Sequence, residues 1–193
     1  MVILILLWLI SMAGGAFSLW KMQTNNVKSM AAPNYWPKQS ALKRSYSEPT
    51  LIAFIQPYCK SSHASVKELE KIMAKVGDQS KVFIVLVSPK NVNEDSPLIN
   101  KLIKIPDIIV QPDSKGQEAR VFGAQNSGQI LAYDSEGSLR FVGGLGLPRN
   151  HKESGIAKEQ IQSLVLKNIV SQSTTKVIGC SLFNESKKGD KEK

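Results

Sequence analysis

Apolar residues in this chain fall into short runs separated by polar, glycine- and proline-containing stretches, and their period changes from run to run. Residues 50–55 (TLIAFI) form an unbroken β-rich run that stops at Gln56-Pro57, the pattern of a buried strand. Val66, Leu69, Ile72, Met73 and Val76 then recur at helical spacing. Ser61-Ser62 offers an N-cap ahead of them and Gly77 ends the pattern, so a helix is predicted there. Residues 81–87 (KVFIVLV) show no polar alternation and predict a central strand covered on both faces. A short helix is predicted over residues 96–105, an extended piece over Asp107-Ile108-Ile109-Val110, and a second short helix over residues 116–122. Residues 129–134 and 138–143 flank Ser135-Glu136-Gly137 and predict a β-hairpin. A closing helix over residues 156–170 would carry Ile161, Leu164, Val165 and Ile169 on one face. Gly143-Gly144-Leu145-Gly146 lacks the Gly-Lys-Ser/Thr ending of a phosphate loop, so we read it as a turn leaving Arg149-Asn150-His151 in a loop. The order strand, helix, strand, helix, hairpin, helix predicts an α/β domain with a mixed sheet flanked by helices.

The first twenty residues depart from this pattern. They read MVILILLWLISMAGGAFSLW, without charge and long enough to cross about 30 Å of hydrocarbon, so residues 1–20 are expected to be a transmembrane anchor or a signal peptide. Ala13-Gly14-Gly15-Ala16 offers small residues for cleavage, but no Lys or Arg precedes Lys21. Residues 21–46, rich in Asn, Gln, Ser and Lys, are expected to be a linker in which residues 31–37 pack locally. The domain is expected over residues 47–183, with residues 184–193 expected to be a charged flexible tail. Lys21, Lys28, Lys38, Lys43 and Arg44 all follow the apolar segment, which by positive-inside counting favours a cytoplasmic domain.

The length of 193 residues holds one ordinary domain. Twenty-five Lys and Arg against 16 Asp and Glu give a net charge of +9, which raises nucleic acid as a partner. The basic residues are scattered and not interleaved with aromatics, so no nucleic-acid partner is expected. Two cysteines, Cys59 and Cys180, leave no disulfide framework and no Cys-only zinc site.

A strand that delivers Pro57-Tyr58-Cys59-Lys60-Ser61-Ser62 to the start of a helix, with a hairpin and a last helix behind, resembles the thioredoxin superfamily over residues 47–170. Residues 120–134 (RVFGAQNSGQILAYD), Gly143-Gly144 and Val177-Ile178-Gly179-Cys180 further resemble the bacterial membrane-anchored RedB-like proteins of that superfamily. That likeness implies a thioredoxin-like mixed sheet and thiol–disulfide redox chemistry. It also implies attachment to the bacterial inner membrane with the domain facing the periplasm, against the positive-inside count, and envelope protein thiols or disulfides as partners. Where that family shows Cys-Pro-Cys, this chain reads Cys59-Lys60-Ser61. Cys59 matches the first cysteine and Ser61 replaces the second, so a disulfide cycle would recruit Cys180 or an external thiol. Thioredoxins set a cis-proline opposite the active cysteine, and the corresponding turn here is Asn126-Ser127-Gly128.

A helix N-terminus favours thiolate over thiol at Cys59, and Lys60 adds positive charge. The expected catalytic residues are Cys59 and Cys180, with no cofactor. Cys180 reads either as a small buried hydrophobe or as the partner of Cys59, the latter requiring Cα atoms within about 7 Å. In a different reading, Cys59, His63 and His151 ligate copper. Cys59-x3-His63 with a distal His151 is similar to the copper-delivering Sco-type folds, with His63 where their second cysteine stands. Against both stand an inert thiol on a thioredoxin-fold scaffold and two solvated surface histidines.

Overall fold

The computed structural model describes residues 31–88, 96–145 and 151–183, with the side chains of residues 151–154 set aside. The apolar segment 1–20, the first part of the expected linker, the 184–193 tail, and Arg149 and Asn150 lie outside the described residues. Five strands and four helices follow in the order β1 (Thr50–Ile55), α1 (Ser62–Val76), β2 (Lys81–Val87), α2 (Pro97–Leu102), β3 (Ile108–Asp113), α3 (Gln117–Val121), β4 (Gln129–Tyr133), β5 (Leu139–Gly144) and α4 (His151–Lys167). The strands form one sheet in the order β3-β2-β1-β4-β5. β1, β2 and β3 are parallel, whereas β4 is antiparallel to both β1 and β5.

Strand alternation sorts the core into two layers. Leu51, Ala53 and Ile55 point to one face, where Val66, Leu69, Ile72 and Val76 of α1 and Ala157, Ile161 and Leu164 of α4 meet them. Ile52 and Phe54 point to the other, against Ala119, Phe122, Leu131 and Tyr133. β1 and β2, apolar beyond Thr50 and Lys81, are therefore central strands buried on both faces, as their runs predict. β3 ends the sheet and tolerates Pro112 there, where one edge of the strand needs no ladder donor.

Three expectations are corrected. Residues 33–46, expected to be a linker with local packing over 31–37, lie against the sheet: Trp36 stacks edge-on against Phe122 and Tyr133 at 5.1 and 5.3 Å, and Leu42, beyond the stretch expected to pack, is buried. Backbone bonds from Trp36 to Gly137 and from Leu139 to Asn34, and Glu118 accepting from Ser40 and Ala41, fix this segment on the sheet. Its anchors are isolated apolar residues among polar ones, which leaves no period to read. Gly143 and Gly144 belong to β5 rather than to a turn. The last helix begins earlier than expected, taking in His151, and ends at Lys167. Asn168 turns left-handed at φ 53°, so Ile169 falls off the helix and is exposed.

Replacing Trp36 by Ala should lower the unfolding free energy by about 2 to 3 kcal/mol in a denaturant titration, where a solvated linker position would change it by less than about 0.5. Tyr133 is fully buried and donates to the Pro33 carbonyl at 3.0 Å. Burial pushes its phenol well above the ordinary value, so the folded state holds this proton more tightly than the unfolded chain does. That preference contributes fully below the unfolded value of about 10 and is lost progressively as pH rises above it. The stability gap between wild type and Tyr133→Phe should therefore narrow above about pH 10 in denaturant midpoints measured across that range.

Candidate functional site

Cys59 lies on the turn between β1 and α1, where its N–H donates to the Gln56 carbonyl at 3.1 Å and its own carbonyl accepts from the Ser62 N–H at 3.0 Å. Ser61 occupies the N-cap position of the 15-residue α1, yet its side chain makes no capping bond. Its hydroxyl instead lies 2.9 Å from the Cys59 sulfur. That sulfur is bonded to Cys180, 121 positions further on, with Cα atoms 6.0 Å apart. A disulfide sulfur carries no proton, so the Ser61 hydroxyl is the donor. Cys180 is thus no buried hydrophobe: it is exposed, while Cys59 is only 3% exposed.

Ser127, in the turn that precedes β4, ties both cysteine-bearing segments together. The Ser62 hydroxyl donates to the Gln56 carbonyl at 2.7 Å, so the bond between Ser127 and Ser62, at 2.8 Å, takes its proton from Ser127. The Ser127 oxygen also accepts from the Gln56 N–H at 2.8 Å. Its backbone N–H donates to the Cys180 carbonyl at 2.8 Å. Both hydroxyls are fully buried and both are satisfied, as buried polar groups require. Ser65, one helical turn on, donates to the Leu145 carbonyl at 2.5 Å.

Residues 171–183 reach the site as an irregular strap along β5 and the 125–127 turn. At one end the Val142 N–H of β5 donates to the Ser173 carbonyl at 2.9 Å and the Val142 carbonyl accepts from the Thr175 N–H at 3.0 Å, and at the other the Leu182 N–H donates to the Gln125 carbonyl at 2.7 Å. Three glycines permit the approach. A Cβ on Gly144 would come within 2.7 Å of the Lys176 carbonyl, and one on Gly143 would overlap Thr175 and Phe141. At Gly179 a Cβ would overlap the Ser127 carbonyl. Gly179 directly precedes Cys180, so this close approach sets the path that carries Cys180 to Cys59.

Of the expected copper ligands, only Cys59 and His63 have described side chains. Cys59 is committed to Cys180, His63 is exposed on α1, and the His151 side chain lies outside the described residues. Among the described residues no group of three His, Cys, Asp or Glu side chains converges. Ser62, Ser65, Ser127 and Gly179 carry the site's architecture and were missed as site residues. The signal available was Ser62 and Ser65 sharing the helical face of Val66 and Leu69.

No protein-family model matches the sequence, and no curated protein does. Solved structures do resemble the fold. An uncharacterized conserved protein from Geobacillus kaustophilus superposes with a TM-score of 0.63 at 16% identity, over 83% of this chain and 97% of that one. A hypothetical protein from Sinorhizobium meliloti 1021 gives 0.58 at 16% identity, over 82% and 95%. A thioredoxin-like protein in its oxidized form gives 0.53 at 16% identity, over 67% and 95%. The fold is thioredoxin-like. On it, this chain places one disulfide at the N-terminal end of α1.

Gly179→Ala should leave both thiols open to alkylation under conditions that oxidise the wild type, as read by mass shift. Gly155→Ala, where a Cβ meets nothing within 4 Å, should leave the bond intact.

Proposed function

We propose that this protein is a thiol–disulfide redox protein of the RedB-like type, tethered to the bacterial inner membrane by residues 1–20, with its domain in the periplasm. The observation that carries this reading is the Cys59–Cys180 bond at the N-terminal end of α1 on a thioredoxin-like fold. The two cysteines supply the chemistry without a cofactor: two partner thiols become a disulfide as Cys59–Cys180 becomes a dithiol, or the reverse. The first cysteine of the family's Cys-Pro-Cys survives as Cys59. Its second is replaced by Ser61, and Cys180 takes over the second sulfur from the far end of the domain.

The surroundings of Cys59 suit the reduced state. A 15-residue helix directs its N-terminus at this turn, and Ser61 presents a hydroxyl proton to the sulfur. Both stabilise a thiolate, the form that attacks disulfides and the form that leaves when one is cleaved. Placement in the periplasm is supported by the apolar run 1–20 and by the Cys59–Cys180 disulfide, a bond that persists in oxidising compartments.

The test is a redox titration of the full chain against glutathione couples, with alkylation and mass spectrometry at each poise. Cys59 and Cys180 should gain and lose the alkylating agent together, and either Cys59→Ser or Cys180→Ser should abolish reduction of a model protein disulfide. Activity retained in both single variants would leave the fold as a scaffold for something else. A reporter fused after residue 193 should report a periplasmic C-terminus.

A further inference from the structure

The two sulfurs of the bond are not equivalent, and this decides where a partner enters. Exchange at a disulfide is a displacement in which the attacking thiolate approaches one sulfur roughly along the extension of the S–S bond, while the other sulfur leaves as thiolate. Attack at Cys59 requires access to a residue that is 3% exposed and that rests against Ser61 at the start of α1. Attack at Cys180 requires access to an exposed residue on an exposed strap, flanked by half-buried Gly179 and exposed Ile178 and Ser181. The leaving sulfur in that case is Cys59, which already accepts the Ser61 hydroxyl and sits at the positive end of a 15-residue helix. Access and leaving-group stabilisation therefore favour the same direction.

We infer that Cys180, not the cysteine of the helix turn, is the partner-facing sulfur of this protein. A partner thiolate bonds to the Cys180 sulfur, the Cys59–Cys180 bond breaks, and its electron pair leaves on Cys59. A second partner thiolate then attacks the partner sulfur of the mixed disulfide and releases Cys180 as thiolate. The sum converts two partner thiolates into one disulfide and the protein disulfide into two thiolates. In the reverse direction the Cys180 thiolate opens a partner disulfide, and Cys59 resolves the mixed species by closing back onto Cys180. Cys59 then acts as the resolving residue and Ser61 as a positioning residue for its thiolate. This assignment rests on the thiol–disulfide reading above and deepens it.

The experiment uses the oxidised full chain and reduced glutathione as the probe thiol. The protein is mixed with excess glutathione, quenched in acid at a series of short times, unfolded and alkylated with iodoacetamide, then peptide-mapped. The expected result, extrapolated to the earliest times, is glutathione on Cys180 with alkylated Cys59, in at least about tenfold excess over the converse, as follows from the access dependence of exchange. Glutathione on Cys59 in equal or greater amount would overturn the assignment while leaving the redox function standing. A disulfide that reacts with glutathione at no concentration would remove both.

Discussion

The covalent link between Cys59 and Cys180 closes the chain over 121 positions, and the arrangement of the C-terminal segment depends on it. Residues 171–183 have few apolar anchors of their own: Leu182 is buried, while Ser171, Gln172, Ser173, Thr174, Lys176, Ile178 and Ser181 are exposed. Backbone hydrogen bonds to β5 and to the 125–127 turn hold them, and each such bond contributes only about 1 kcal/mol net because water competes for the same groups. Loop closure of this length restricts the unfolded chain by about 4 to 5 kcal/mol in the chain-entropy account. The covalent term is therefore of the same size as the summed backbone bonds, the one acting by restricting the unfolded chain and the others by holding the strap on the folded sheet.

Ser127 extends that link into the core. Its hydroxyl joins the end of β1 to the start of α1, and its backbone N–H holds the carbonyl of Cys180. A proline at this position would offer neither the hydroxyl nor the N–H. The serine is thus matched to a site whose second sulfur arrives from the C-terminal segment. Gly128 beside it completes the turn at φ +86° and leaves room for the Ser65 hydroxyl. The buried serines form a polar seam between strand, helix and turn.

Much of the fold was legible because its elements are written as apolar periodicities. β1 and β2 are continuous buried runs, α1 repeats its core residues at helical spacing, and the hairpin is punctuated by Gly137. What escaped has a different physical basis. The 33–46 segment docks through Trp36 and Leu42, single side chains whose partners, Phe122 and Tyr133, lie about a hundred positions away in sequence. The strap is held by backbone groups and by the absence of side chains at Gly143, Gly144 and Gly179, and such contacts leave no hydrophobic pattern. Cys59 was legible from its place before a helix. Its distance from Cys180 was not, because that is a property of the sheet order and of the strap's path.

The strap has a second consequence at the margin of the sheet. β5 is the last strand on its side, and the backbone N–H and C=O of Val142 are taken up by Ser173 and Thr175. An unpaired strand edge is a template for another chain, and natural proteins cover or blunt it. The segment carrying Cys180 therefore also guards this edge against self-association. One stretch of backbone thus carries the second sulfur of the site and covers the margin of the sheet, so the same residues serve the chemistry and the protection of an edge.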